Sequence, residues 1–204
     1  DWITSFCHGE CWENKGDPYN GNVPEVQIKS PEEIREEIGD VKDCKIFTPK
    51  TSYRSIPSKF YRSWGVRLLL NTSDGKRPYA VGFPMSYYSE LVGWKCRPFH
   101  KKYFYGIGRT ADTDMFGWAR AQQLPGNVLW ITEGEFDAIA LDYAMTLVGN
   151  KSMYPVVSLT HGGGSIEKNL NNIADRLDRY DYIVLVVDDD EVGLKAEQTA
   201  LEMW

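Results

Sequence analysis

The sequence predicts an α/β parallel sheet over residues 127–204, preceded by a basic α+β subdomain over residues 25–126. Three observations carry this reading. Apolar runs and helical periodicities alternate from Asn127 onward in the order β-α-β-α-β-α. Charge is segregated: residues 1–45 hold 5 Lys/Arg against 11 Asp/Glu, residues 46–110 hold 12 against 2, and residues 111–204 hold 6 against 16, within a net charge of −6. The acids of the last block gather where predicted strands end.

The elements follow in chain order. Residues 1–24 form a polar appendage with Cys7, His8 and Cys11, then a turn-rich run from Asn14 to Pro24 that reads as a linker. Ser30-Pro31-Glu32-Glu33 marks a helix start, with serine as cap, proline at the first helical position and acids favoured by the dipole; the helix is expected to end near Gly39. From Phe47 to Phe116 the pattern predicts short strands, a short helix over Pro57 to Trp64, a turn at Ser73-Asp74-Gly75 and alternation around Tyr79 to Phe83. Val128 to Ile131 is a predicted buried strand, with Phe136, Ile139, Ala140, Tyr143, Ala144 and Leu147 at helical spacing behind it. A strand over Pro155 to Leu159, a helix carrying Ile166, Leu170, Ile173 and Leu177, a strand over Tyr182 to Val187 and a helix from Glu191 complete the alternation. Such a chain builds a parallel sheet, and ligands of parallel sheets sit beyond the carboxyl ends of the strands.

Two acidic clusters fall at that edge: Glu133, Glu135 and Asp137 after the first strand, and Asp188, Asp189, Asp190 and Glu191 after the third. In an extended strand end residues two apart point the same way, so Asp188 and Asp190 project together while Asp189 points elsewhere, and Glu133, Asp188 and Asp190 are expected to converge. Converging carboxylates need a cation between them, and hard oxygen donors suit Mg²⁺ or Mn²⁺ in metal-assisted phosphoryl chemistry. Glu135 and Glu191 read as helix caps.

Ile131-Thr132-Glu133-Gly134-Glu135-Phe136-Asp137 resembles the acidic Glu-Gly-x-x-Asp motif of TOPRIM domains, and Val187 to Gly193 resembles the Asp-x-Asp motif with its following glycine. Tyr154 to Gly162 is similar to the segment joining those motifs in phage-type primase-helicases. The resemblance is specific over residues 128–204 and loose over residues 50–120. It implies a TOPRIM fold and a DNA primase that makes short RNA primers on single-stranded DNA from ribonucleoside triphosphates. By the family pattern, Glu133 is an acid-base or metal-proximal carboxylate, Asp188 and Asp190 are magnesium ligands, and Asp137 is a supporting catalytic acid. The family has a further acid downstream. The chain stops before it, and its start at Asp1 and end at Trp204 predict a piece of a longer protein.

Phosphoryl transfer needs cations facing the acids, and residues 46–110 supply them. Arg54 and Arg97 are expected to bind nucleotide or template. Lys95 and either or both of Lys101 and Lys102, in a stretch resembling the family's basic motif, are expected to be catalytic. Interleaved aromatics such as Tyr53, Tyr61, Trp64, Tyr88, Trp94, Tyr103 and Tyr105 favour a nucleic-acid partner. Arg109, with Gly106-Ile107-Gly108 before it, and His161-Gly162 ahead of a helix are weaker candidates for holding phosphate.

Cys7, His8 and Cys11 resemble half of the zinc ribbon that precedes primase cores. Three residues separate the cysteines where two is usual, so Zn²⁺ is expected only if ligands missing from the N-terminus are supplied. Cys44 and Cys96 read as buried small hydrophobes. Four cysteines are too few for a disulfide scaffold, no secretory signal opens the chain, and no apolar run approaches the ~20 residues of a membrane span. A cytoplasmic protein is expected, phage-encoded by the resemblance, with no membrane partner and with a replicative helicase domain or protein as a candidate neighbour. The alternatives are a TOPRIM-type nuclease using the same carboxylates, or a non-catalytic DNA-binding or recombination scaffold.

Overall fold

A computed structural model of the chain describes residues 29–149 and 154–203. Cys7, His8 and Cys11, the expected zinc-ribbon remnant, lie outside the described residues. From Pro31 onward the described residues pack as one compact unit.

The unit opens with helix α1 (Pro31–Asp43). The helix was expected to stop near Gly39 but runs four residues further, because Val41 is buried against Leu69, Ala80 and Trp94 and that packing outweighs the cost of an interior glycine. Strands β1 (Ser52–Tyr53) and β2 (Ile56–Pro57) form a tight hairpin, followed by helix α2 (Ser58–Ser63). Strands β3 (Arg67–Leu70), β4 (Pro78–Tyr87), β5 (Glu90–Pro98) and β6 (Tyr105–Gly108) form one antiparallel sheet in the order β3-β4-β5-β6. The expectation of short strands fails here: β4 and β5 span ten and nine residues. Their turn, Tyr88-Ser89, carries none of the usual turn glycines. Both residues sit at positive φ, 47° and 68°, as do Arg54 and Ser55 between β1 and β2, at 50° and 62°. Two consecutive positive φ values are the primed hairpin geometry that normally calls for Asn-Gly.

After a short helix α3 (Trp118–Ala121) the chain enters a parallel sheet. Its strands are β7 (Val128–Thr132), β8 (Val156–Ser158) and β9 (Tyr182–Val186), in the order β8-β7-β9. Helix α4 (Glu135–Leu147) follows β7, α5 (Ile166–Ile173) follows β8 after a 3₁₀ turn at Gly163–Ser165, and α6 (Glu191–Met203) follows β9. The alternation and the parallel pairing are as the sequence predicts. Strand β9 is less buried than its apolar run implies, since among the described residues it pairs only with β7, leaving Tyr182 and Val186 exposed.

The antiparallel and parallel halves share a core. Phe60, Tyr61, Trp64, Val66 and Phe83 from the first pack with Phe136, Ala138, Ile139 and Val156 from the second. At its margin Asp142 of α4 accepts hydrogen bonds from the Trp64 indole at 2.8 Å and from Arg120 at 2.9 Å. Of the aromatics expected to read nucleic acid, Tyr61, Trp64 and Trp94 are buried core residues, and Tyr88 and Tyr103 are the exposed ones. Cys96 is fully buried, and burial pushes its thiol up to about 12, whereas Cys44 is only partly covered.

Candidate active site

The site lies where β7, β8 and β9 end and the antiparallel sheet faces them. Glu133 stands just past β7. Its Oε1 is buried with no hydrogen-bond partner among the described residues. Gly163 makes room for it, since a β-carbon there would lie 3.1 Å from that oxygen. The Glu133 carboxyl is raised above its ordinary range, first by burial and then by Asp188, Asp190 and Asp137, while a hydrogen bond from the Asp188 backbone pulls the other way. Asp137, in the first turn of α4, is raised by burial and by Asp188, and lowered by Arg54 and Arg97.

The expected convergence of Glu133, Asp188 and Asp190 is not realised at ligating distance: among the described residues, no three His, Cys, Asp or Glu side chains stand close enough to enclose an ion. The reason is local. Strand β9 ends at Val186, so the rule that residues two apart share a face no longer applies at Asp188 and Asp190. Asp190 instead turns into the start of α6, where its Oδ1 accepts the Gly193 N–H at 2.8 Å. Gly193 is obligatory in this turn because a β-carbon would fall 2.0 Å from the Asp188 carbonyl oxygen. The acids form an open group that shares a field rather than a closed cage.

Cations reach this group from the antiparallel half. Arg54, lifted by its positive-φ turn, lies with its guanidinium carbon 4.4 Å from the Phe136 ring centre, and Arg97 lies 5.4 Å from the same ring. Positive φ at two non-glycine residues stores strain, which is a pattern of functional sites, and here the strain places Arg54 beside the acids. Lys95 behaves differently. Its ammonium donates to Glu135 Oε1 and to the Thr160 carbonyl, both at 2.6 Å, with the two side chains only 13% and 3% exposed. The ring of Phe104 covers it at 4.4 Å. Glu135, read from sequence as a helix cap, is therefore the buried counter-ion of Lys95, a role carried by a residue 40 positions away that no local pattern announces.

The remaining candidates scatter. Lys101 lies over Tyr103 at 5.4 Å, and Lys102 is exposed. Arg109 is used locally, donating to the carbonyls of Ala111 and Asp112 and lying 4.1 Å from the Tyr87 ring centre. His161 follows β8 and contacts Thr160 Oγ1 through Nδ1 at 2.9 Å, and the Gly162 carbonyl accepts from both the backbone N–H and the hydroxyl of Ser165. Burial holds the His161 imidazole below its ordinary range, with Lys95 and Lys168 adding to the effect and Asp112 opposing it. Arg54, Lys95, Arg97 and His161 thus gather around the acids and the loop beside them, whereas Lys101 and Arg109 make contacts elsewhere and Lys102 is exposed.

Residues 128–204 match the Toprim domain. The DNA helicase/primase of Enterobacteria phage T3 is 36% identical over 78 residues, which is 38% of this chain and 13% of that protein. The crystal structure of the primase fragment of the bacteriophage T7 primase-helicase is 26% identical with a TM-score of 0.60, covering 78% of this chain and 60% of that one. The same identity, TM-score and coverage of this chain hold for a structure of the bacteriophage T7 lagging-strand DNA polymerase with primase domains bound to an RNA/DNA hybrid and dTTP, of which 74% is covered. Among the described residues, no helix is long and apolar enough to cross a membrane.

Toprim domains as a class bind divalent metal. The residues here fit that chemistry: hard oxygen donors only, one of them buried and without a partner among the described residues, and carboxyls raised by burial and then by one another's charge. Over residues 128–204 the chain matches the Toprim domain, and it is similar in sequence to the phage T3 DNA helicase/primase and in structure to the phage T7 primase fragment, spanning only part of either protein.

Proposed function

We propose that this chain is the primase core of a replication protein, joining ribonucleotides into short primers on single-stranded DNA. The observation that carries the reading is the meeting of two opposite fields at Asp137: the Toprim carboxylates on one side, Arg54 and Arg97 on the other. Nucleotidyl transfer needs both, one to hold a cation and one to hold phosphates.

In this reading Glu133, Asp188 and Asp190 are the residues that would hold Mg²⁺ or Mn²⁺, as an open group rather than a preformed cage, and the ion would supply positive charge against the phosphate oxygens. Glu133 is also the carboxylate this reading assigns to take the proton of the attacking 3′-hydroxyl. Asp137 is the supporting acid that orients Arg54 and Arg97. Those two guanidiniums bind triphosphate or template phosphate. Lys95, pinned by Glu135 and Thr160, fixes the antiparallel sheet against the acidic edge and lends its charge to the cleft. Lys101, Lys102 and Arg109 are outlying contacts to the template backbone, and His161 with Gly162 borders the nucleotide. The partners are single-stranded DNA and ribonucleoside triphosphates, and a helicase domain or protein is the expected neighbour of a primase of this kind.

The test is incubation with single-stranded DNA, labelled ribonucleotides and Mg²⁺. Labelled oligoribonucleotides, lost in Asp188→Asn, are expected. Shortened DNA would replace the reading with a nuclease, and retained DNA binding with neither product would replace it with a scaffold.

A further inference from the structure

The loop between β8 and α5 is held by a buried amide. Asn169, on α5, is 2% exposed and Thr160 is 5% exposed. Asn169 Oδ1 accepts the Thr160 N–H at 3.0 Å, and its Nδ2 donates to Thr160 Oγ1 at 3.1 Å and to the Ser165 carbonyl at 2.8 Å. A carbonyl can only accept and a backbone N–H can only donate, so the orientation of this amide is fixed by its partners.

That orientation dictates the next link. Thr160 Oγ1 already accepts from Asn169, so its own proton needs an acceptor, and a buried hydroxyl without one is costly. Among the described residues the acceptor in reach is His161 Nδ1, at 2.9 Å. With Nδ1 accepting, the neutral imidazole carries its proton on Nε2. His161 is exposed and feels the charges of Lys95 and Lys168, with Lys168 paired to Asp112 at 2.7 Å. An N–H donor beside cations at the start of a helix suits an anionic oxygen.

We propose that Asn169 and Thr160 are positioning residues that hold His161 in the Nε2–H tautomer, presenting an N–H donor to a phosphate oxygen of the nucleotide or of the template. The proposal rests on the nucleotidyl-transfer reading for its ligand, but the tautomer does not depend on it. Thr160→Val tests the chain of bonds, because it removes the hydroxyl while keeping the backbone contacts to Asn169 and Lys95. Thr160→Ser restores the hydroxyl.

Imidazole nitrogen NMR of the full chain, with the His161 signals assigned by their loss in His161→Gln, is expected to show Nε2–H in the parent and in Thr160→Ser. In Thr160→Val and Asn169→Asp the Nδ1–H form is expected to gain population. Separately, Thr160→Val is expected to raise KM for the ribonucleotide, or Kd for single-stranded DNA, about tenfold with kcat little changed, the scale of one lost hydrogen bond. A rise in KM places the phosphate on the nucleotide, and a rise in Kd places it on the template. On a His161→Ala background Thr160→Val is expected to add nothing. Retention of the Nε2–H form in Thr160→Val would overturn the inference, as would an equal effect on the His161→Ala background. Failure of the parent chain to make primers would instead overturn the function while leaving the tautomer result standing.

Discussion

Glu133 and Glu135 stand two residues apart in one motif and live in opposite electrostatic worlds. Glu135 is buried and paired through Oε1 with the ammonium of Lys95. Glu133 keeps a buried oxygen with no partner among the described residues, and three other carboxylates raise it. The difference shows how one acidic run divides its labour. A carboxylate with a resident cation becomes scaffold, and one left facing its own kind becomes a site for an incoming charge. The divider is not local sequence but the register of β5, which delivers Lys95 to one carboxylate and not to the other.

The hardest way to break this contrast is to remove one half of the buried pair. Lys95→Ala and Glu135→Ala are each expected to cost about 3–5 kcal/mol, read from denaturant unfolding, because each strands the opposite charge in the interior. Lys95→Met combined with Glu135→Leu should recover much of that loss and leave primer synthesis impaired. Recovery of synthesis with stability would show that Lys95 is only a strut.

A middle-sized effect is expected from the cations that face Glu133's side of the site. Arg54→Ala and Arg97→Ala should each lower the slope of log affinity for single-stranded DNA against log salt by roughly 0.7 if each meets one phosphate. Both should also raise the Asp137 carboxyl further, since each guanidinium now lowers it. The Lys101/Lys102 double alanine makes a useful comparison: a slope change there would extend the template path away from the acids.

The smallest effect sharpens the contrast through pH. The folded carboxyls of Glu133 and Asp137 lie above their unfolded values, so between those values the folded chain holds more protons than the unfolded one. Stability without metal is therefore expected to fall as pH rises through that window and to be recovered on acidification. Glu133→Gln and Asp137→Asn should flatten that slope and raise the melting temperature at pH 7, while added Mg²⁺ should stabilise the parent more than either variant. A parent chain with no such slope would show that neither burial nor mutual repulsion raises these carboxyls.

The parallel sheet was legible because buried strands such as Val128 to Ile131 are unbroken apolar runs, and the helices behind them keep a strict period. The acidic edge followed from that topology. What escaped was whatever depended on distant contacts. The hairpin turns at Arg54-Ser55 and Tyr88-Ser89 use residues that ordinarily avoid positive φ, so no turn signal marked them. Helix α1 passes Gly39 because Val41 finds a core built from later strands. Glu135 could not be told from a cap until Lys95 was seen against it, and the extended-strand argument for Asp188 and Asp190 failed because β9 gives way to a capping turn.

The core shared by α2, β4, α4 and β8 bears on heredity as well as on folding. A cut at residue 127 would bare Phe136, Ile139 and Val156 and deprive Asp142 of both the Trp64 indole and Arg120. The Toprim stretch is a recognisable domain by descent, yet it is not a cartridge that recombination can slip from one chain into another. A graft would have to bring the facing aromatic wall with it, so the acidic edge and the basic sheet opposite it must travel, and drift, together.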